Sequence, residues 1–488
     1  MRGVFQRLLL IVVLFASVAH AHVGSPDVFY DGKAGPYRLF VTVRTPRMIP
    51  GVAQIEVRIL DGRVTGIDIV PLRVVGEGSE NAPPPDRMTV SSSDPQLFVG
   101  KLWLMESGSW QVRMDVSGVQ GTAQMAVPVA AFAQRTLRMQ RAMGALLSIL
   151  MLVLVFSAIS IFGAAVRESQ LEPGAAPRWE NRRKARMIMV GAAVAVVAIL
   201  FLGNLWWDSK AQNNATNMIY RPPPIQATIS GNQLQLKVGI SEWHDRRKRM
   251  QLVNLVPDHG HLMHLFLLRL PEMDRFYHLH PDMSADTFVQ RLTAEAPGRY
   301  VLFADIVRES GFPDTMTTRI EVPDGAESST PLTGDDSGAS APTLSSSSPR
   351  PISSLSDGCQ VAWIGDTTVY ATKPTLLRFR IEDSRGNPIG DLQPYMGMAG
   401  HLVIVRRDLS VFSHIHPAGS VPMAALALLE KKTPQAHESM VGMEQNQTIP
   451  PEITFPYGFP QPGDYRLFLQ VRRGGQVQTA VFDVTIKS

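Results

Sequence analysis

A chain of 488 residues is long enough for about three domains, and 45% apolar with 18% charged residues is ordinary globular usage that forces no class. The formal net charge of +4 is too small to argue for a nucleic-acid partner without a clustered basic face, so none is expected. The single cysteine, Cys359, excludes an intramolecular disulfide framework and argues against a blue-copper site, which needs a thiolate beside two histidines.

Residues 1–21 read as a signal peptide. Arg2 and Arg7 flank an apolar core, Leu8 to Phe15, and Ala19-His20-Ala21 is a small-x-small cleavage site. Cleavage there makes His22 the mature N-terminus, where the amino group and ring nitrogen together can chelate Cu(II). Residues 23–135 contain no other histidine, so a complete site at His22 would need a ligand from elsewhere. Residues 22–135 read as a first extracytoplasmic β-sandwich. Tyr37 to Val43 and Ala53 to Ile59 alternate, and Asp61-Gly62 marks a hairpin turn. The phrase Gly108-Ser109-Trp110-Gln111-Val112 recurs as Gly298-Arg299-Tyr300-Val301-Leu302 and again as Gly463-Asp464-Tyr465-Arg466-Leu467. Three copies of one strand phrase predict three domains of one kind, Ig-like β-sandwiches of about 100 residues each.

Two apolar segments, 142–166 and 187–207, are each long enough to cross a hydrocarbon core of roughly 30 Å. Trp206 and Trp207 stand where an interfacial aromatic belt would. The loop 167–186 carries Arg167, Arg178, Arg182, Arg183, Lys184 and Arg186, against Arg135, Arg138 and Arg141 on the outer flank. The positive-inside rule places that loop in the cytoplasm, and the signal peptide independently places residues 22–140 outside. The fold class is therefore mostly β, with three Ig-like β-sandwich domains plus a two-helix transmembrane hairpin. The expected location is the cell inner membrane, with the β domains facing the periplasm or exterior. Neither span contains Asp, Glu, Lys, Arg or His, so no ion pathway is expected. The second sandwich is read over 225–323, with a solvated basic run at Arg246-Arg247-Lys248-Arg249. Residues 324–356 are rich in Ser, Pro, Gly and Asp and read as a disordered linker. The third sandwich is read over 357–488, with an insertion after Pro417 that holds Met423, His437, Met440 and Met443.

Histidine is distributed unevenly. Of 12 in the chain, eight lie in two matching segments. The first reads Pro257-Asp258-His259-Gly260-His261-Leu262-Met263-His264, then His278-Leu279-His280-Pro281. The second reads Pro394-Tyr395-Met396-Gly397-Met398-Ala399-Gly400-His401, then His414-Ile415-His416-Pro417. Leu265 to Leu268 and Leu402 to Val405 are strand-like runs, each followed by a polar turn and another short strand, which makes a β-hairpin. Alternation puts His278 and His280 on one face, and likewise His414 and His416. A turn near Pro271 or Glu272 sets His264 opposite His278 or His280, and the second copy does the same for His401. Opposed Cβ atoms lie roughly 4.5–5.5 Å apart, close enough for three imidazoles to share an ion. Such a set leaves an open coordination position and suits zinc or copper. Where the first copy has His259 and His261, the second has Met396 and Met398. Thioethers favour Cu(I), while methionine is also an ordinary core filler.

The β domains resemble YtkA-like and CopC-like periplasmic Ig-fold modules of bacterial membrane-anchored proteins. The resemblance rests on Ser107-Gly108-Ser109-Trp110, Pro297-Gly298-Arg299-Tyr300 and Pro462-Gly463-Asp464-Tyr465, on the secreted context, and on His22. It implies copper handling. CopC-like proteins pair the N-terminal histidine with a later histidine and an acidic residue, and the first domain lacks the later histidine. The expectation is a membrane-embedded extracytoplasmic protein that buffers or delivers copper, with a periplasmic metal-handling partner. Each of the second and third domains would use one histidine of its first hairpin strand and the His-x-His of the next. A zinc-dependent enzyme with a three-histidine open site is the alternative, with Asp258, Asp282 and Glu309 as candidate bases. The third class is a non-catalytic structural or interaction protein. The chain contains no Gly-x-Ser-x-Gly, P-loop, dinucleotide fingerprint or His-Glu-x-x-His.

Overall fold

A computed structural model of the chain describes residues 27–75, 81–137, 139–168, 171–172, 174–239, 254–292, 296–323, 332–341, 352–430 and 449–488. Residues 1–21, read as a signal peptide, together with His22, the basic run 246–249 and the residues His437, Met440 and Met443, lie outside them. The chain divides into two compact units, one holding the three β domains and the other spanning Ala133–Tyr220.

Each β domain is a pair of antiparallel sheets. The first packs a five-stranded sheet on a four-stranded one, with Leu39, Val41, Ile55 and Val57 meeting Ile67, Ile69, Val112 and Met114. The second pairs four strands with six, the third four with five. The repeated phrase is an 11-residue strand each time: Gly108–Gly118, Gly298–Arg308 and Gly463–Arg473. Its opening glycine sits at φ 136°, 137° and 128° respectively, a left-handed conformation that a side chain would strain.

The two histidine segments form the expected hairpins. The first joins His264–Leu270 to Arg275–Leu279 with Leu265 opposite Leu279. The second joins His401–Arg406 to Phe412–Ile415 with Leu402 opposite Ile415. Extended by one residue, these registers set His264 across from His280 and His401 across from His416. Each hairpin is apolar on both faces because both are buried. Leu265, Leu267, Tyr277 and Leu279 point into the second domain's own core with Leu234, Leu236 and Phe288. Phe266, Leu268, Phe276, Val301 and Phe303 face the other way and form a separate core with Val403, Val405, Phe412 and Phe468 of the third domain. The hairpin sheets of the two domains are thus stacked back to back. The contact is made twice with the domains exchanged. Phe276 stacks on Phe468 at 4.2 Å and 10°, and Phe412 stacks on Phe303 at 4.1 Å and 11°.

The stretch 324–356 is not disordered throughout, as its composition had suggested. Ser337–Ser340 is an edge strand on Arg275–Leu279, and Ile352–Ser354 pairs with Gln360–Ile364. Small polar residues with no apolar face take their order here from ladder hydrogen bonds to a sheet edge, which composition does not register. The first domain is joined to the third through the residues after Pro417. Asp31 N donates to Ala418 O at 2.8 Å and Ser420 N to Phe29 O at 2.9 Å.

The second unit contains helix α1 (Arg141–Glu168) and helix α2 (Trp179–Asn217), both long and apolar enough to cross a membrane. They pack closely at Gly163, where a Cβ would come within 2.5 Å of Met189 Sδ. Helix α2 starts earlier than the apolar run, so Arg182, Arg183, Lys184 and Arg186 lie in its first turns rather than in a loop. Helix α3 (Met423–Glu430), in the first unit, occupies the start of the third-domain insertion, and its Leu426 packs in the first domain's core.

Candidate metal centre

Strand alternation puts His264, His278 and His280 on the same face as Phe266 and Phe276. His401, His414 and His416 share a face with Val403 and Phe412. Stacking the two sheets on that face brings both sets to one end of the interdomain core. Among the described residues, two groups of three histidines hold nitrogen atoms within 4.8 Å of one another: His264, His278 and His280, and His259, His401 and His416. The first is the set read within one domain. The second crosses the interface, with His259 of the second domain joining His401 and His416 where the repeat had suggested His414.

His259 reaches across because of a tight turn. Asp258 and His261 exchange both backbone hydrogen bonds, and His259 and Gly260 between them have φ of 51° and 89°. Positive φ at both central residues is the type I′ hairpin turn. Tyr395 and Met398 form the same turn around Met396 and Gly397, at φ 51° and 76°. The two turns touch: His259 Nδ1 donates to Met396 O at 2.8 Å, which leaves Nε2 free of a proton and 3.1 Å from His416 Nε2.

Hydrogen bonds fix the tautomers of the first group. His264 Nε2 is 3.0 Å from the carbonyl of Asp258, which only accepts, so that nitrogen carries the proton. His278 Nδ1 is 2.8 Å from Gln470 Oε1 and 3.3 Å from the Tyr395 hydroxyl. The Tyr395 hydroxyl donates its own proton to Asp335 O, so it can only accept from His278. His280 Nδ1 donates to Asp336 Oδ1 at 3.0 Å, and Gln290 holds the other oxygen of that carboxylate. The nitrogens left over are His264 Nδ1, His278 Nε2 and His280 Nε2, all without protons. Two of them, His264 Nδ1 and His278 Nε2, face each other at 3.0 Å.

Two facing lone pairs repel unless a cation lies against them. A proton is a poor candidate. Burial first, and neighbouring imidazoles second, hold His264, His278, His401 and His414 well below the usual histidine range, and His416 likewise through burial and His259. A metal ion would meet the need, since ligand histidines are commonly oriented by a carbonyl or carboxylate on the other ring nitrogen. Other nitrogens also lack partners. Among the described residues, both nitrogens of His401, Nε2 of His280 and Nε2 of His414 are buried without a hydrogen bond. Asp305, raised to about 7 by burial, stands 3.7 Å from His414 Nδ1.

The remaining sequence candidates lie at the edge or elsewhere. His261 is half-buried, stacks on His280 at 4.0 Å and bonds Asp335 at 3.2 Å. Met396 and Met398 are half-buried in the second turn. The Asp258 carboxylate is occupied in accepting from Ala424 N at 2.6 Å, at the start of α3. Asp282 and Glu309 are exposed. Sequence reasoning missed Asp335 and Asp336, hidden in a low-complexity stretch, and also Gln470 and Asp305. Those last two left a signal: both are polar residues in the eighth position of the repeated 11-residue strand.

Residues 353–488, essentially the third domain, match a family model described as a Domain of unknown function (DUF8832). No curated protein matches the chain. Similar solved structures include an engineered protein, at 12% identity over 20% of this chain and 20% of that one, with a TM-score of 0.16. An Escherichia coli alpha-2-macroglobulin activated by porcine elastase matches at 8% identity over 95% of this chain and 30% of that one, TM-score 0.18. A Salmonella alpha-2-macroglobulin mutant matches at 10% identity over 96% of this chain and 24% of that one, TM-score 0.20. The chain thus spans less than a third of the length of each. Likenesses this low in TM-score bear on neither fold nor function.

Proposed function

We propose that the chain is a membrane-anchored extracytoplasmic metal-binding protein that takes copper at the histidine centre between its second and third β domains, and that it buffers or delivers the metal. The observation that carries this reading is the 3.0 Å approach of His264 Nδ1 to His278 Nε2, two buried nitrogens whose protons are committed elsewhere. Copper is favoured over zinc by the pseudo-twofold relation of the domains. It matches His259, which joins the second group, with Met396 of the other turn, and a thioether at that matched position suits Cu(I). The three paired-sheet domains read as Ig-like, in keeping with copper-handling modules of the CopC and YtkA kind. Helices α1 and α2 serve as the anchor, with the β domains in the periplasm. Binding is favoured over hydrolysis because none of the carboxylates considered as a base, Asp258, Asp282 or Glu309, is free at the centre.

The test is metal content and competition titration of the full chain in detergent, without an affinity tag, against the triple variant His264→Ala, His278→Ala, His280→Ala. Wild type should hold copper against a chelator and prefer Cu(I) to zinc, and the variant should lose the first ion. Equal retention by the two proteins, or none by either, removes the proposal. Preference for zinc would redirect attention to hydrolase assays.

A further inference from the structure

The centre holds more ligand nitrogens than two isolated three-coordinate ions use. Beyond the two groups, His414 is buried with an unpartnered Nε2. Its ring centroid lies 4.7 Å from that of His416, 5.4 Å from His401, 5.3 Å from His264 and 5.5 Å from His278. It therefore stands between the groups, next to two members of each. The groups are themselves adjacent, with His259 6.0 Å from His264 and His278 6.3 Å from His401. An ion bonded to imidazole nitrogen at about 2.0–2.1 Å lies roughly 3 Å from the ring centroid. Rings this close together make the two ions immediate neighbours, as in two-metal sites, where the ions stand about 3.5–4 Å apart.

We infer that the two groups form one dinuclear copper centre spanning the second and third domains, with His259 as the cross-domain ligand and His414, bound through both ring nitrogens as an imidazolate with its ring proton released to solvent, as the residue that couples the two ions. This rests on the metal-binding reading and adds the nuclearity and the role of His414. Seven imidazoles shared by two ions give each three or four nitrogen ligands, an ordinary number for copper, whereas a single ion would leave several buried nitrogens unsatisfied. Neither domain alone contains the second ion's ligand set. The metal therefore also ties the domains together at the end of their shared aromatic core.

Paramagnetic coupling reports the arrangement directly. The full chain in detergent is stripped of metal, given two equivalents of a Cu(II) salt, freed of excess and examined by electron paramagnetic resonance beside elemental analysis. Two copper ions per chain, shown by X-ray absorption to be Cu(II), with a spin count well below the Cu(II) content or a half-field transition, is the expected result. His259→Ala should bind one ion and show an isolated, full-intensity signal. In His414→Ala the spin count should rise to match the copper content. Two bound ions with a full-intensity, isolated-ion spectrum in wild type would overturn the coupled centre while leaving copper binding in place, as would saturation at one ion. Coupling unchanged in a folded His414→Ala would remove the role of His414. Failure to retain any copper would overturn the metal-binding reading and this inference together.

Discussion

Gln470 offers a test of how the centre is built, because it is not among the proposed ligands and belongs to the opposite domain from the histidine it holds. Its Oε1 accepts from His278 Nδ1 at 2.8 Å, and its Nε2 donates to Ser337 Oγ at 2.6 Å, all in a fully buried setting. Gln470→Leu keeps the volume and removes both bonds. The proton of His278 then has only the longer contact to Tyr395 at 3.3 Å, and the ring is free to turn or to move its proton to Nε2, the nitrogen needed for the ion. Loss of such an orienting partner typically lowers metal affinity about 10–100-fold, equivalent to about 1.4–2.7 kcal/mol. Leaving the buried Ser337 hydroxyl and the His278 N–H short of partners costs about 1–3 kcal/mol of stability in the metal-free protein. Competition of the full chain with a Cu(I) chelator reads the first effect, and denaturant unfolding of the metal-free protein reads the second. Gln470→Glu, which keeps an acceptor oxygen, should recover much of the affinity. A Leu variant that is less stable yet titrates on the wild-type curve would refute the argument, since Gln470 would then be holding two domains together and not orienting a ligand.

The metal-free protein should be acid-sensitive. His264, His278, His401, His414 and His416 are held well below 6.5, so below that pH the unfolded chain binds more protons than the folded one. Their contribution is complete above pH 6.5 and falls as pH drops through it, by up to about 1.4 kcal/mol per pH unit for each histidine. Asp305, raised to about 7, and Asp258, also raised by burial, have the opposite sign, their contributions being lost as pH rises, but within the cluster they are two groups against seven once His259 and His280, lowered as well, are counted. The midpoint of thermal unfolding should therefore drop steeply from pH 6.5 to 5, and a flat midpoint there would contradict burial of neutral rings. Phe303→Ala removes the ring stacked on Phe412 at 4.1 Å and should cost about 3–5 kcal/mol by urea unfolding. It should also reduce copper retention, although no ligand is altered. Gly298→Ala places a side chain at φ 137° with Arg269 Cδ 3.3 Å away, and should cost about 1–3 kcal/mol in the same assay. Loss of less than 0.5 kcal/mol (roughly the scale of a neutral surface change) would mean the turn relaxes.

The hairpins were legible because their evidence is local. Leu265 to Leu268 and Leu402 to Val405 are short apolar runs, each paired with another across a polar turn as in a hairpin, and the period of two fixes which histidines share a face. The three-histidine set of His264, His278 and His280 follows from that alone. What could not be read is the partner of each outer face. Phe266 and Phe276 announce burial without saying against what, so nothing in the sequence joins His259 to His401 and His416, which it reaches only across an interface. The supporting residues escaped for a different reason. Asp336 lies in a Ser- and Gly-rich segment whose order comes from the sheet edge it joins and from Gln290 and His280, none of it visible in composition. Asp305 and Gln470 were visible as matched polar residues in apolar strands, and a rule that such a residue needs a buried partner would have flagged both.

The same strand faces explain why the centre exists at all. In one domain, three imidazoles extend a face that otherwise consists of Phe266, Leu268, Phe276 and Phe303. Left alone, that face would expose a contiguous aromatic patch, and docking a second copy buries it. Docking also carries the histidines out of water, and the carbonyls and carboxylates around them satisfy only one nitrogen per ring: Asp258 O for His264, Gln470 for His278, Asp336 for His280, Met396 O for His259. The second nitrogens are left converging in a space where protonation is opposed by burial. Hydrophobic docking thus creates converging lone pairs that a cation would resolve, and on the proposed reading the domain interface and the metal site are stabilised by the same event. Removing the metal should accordingly loosen the contact between the domains, and loosening the aromatic stack should release the metal. That reciprocity follows from linkage, and it separates a cross-domain centre from two sites that merely happen to be neighbours.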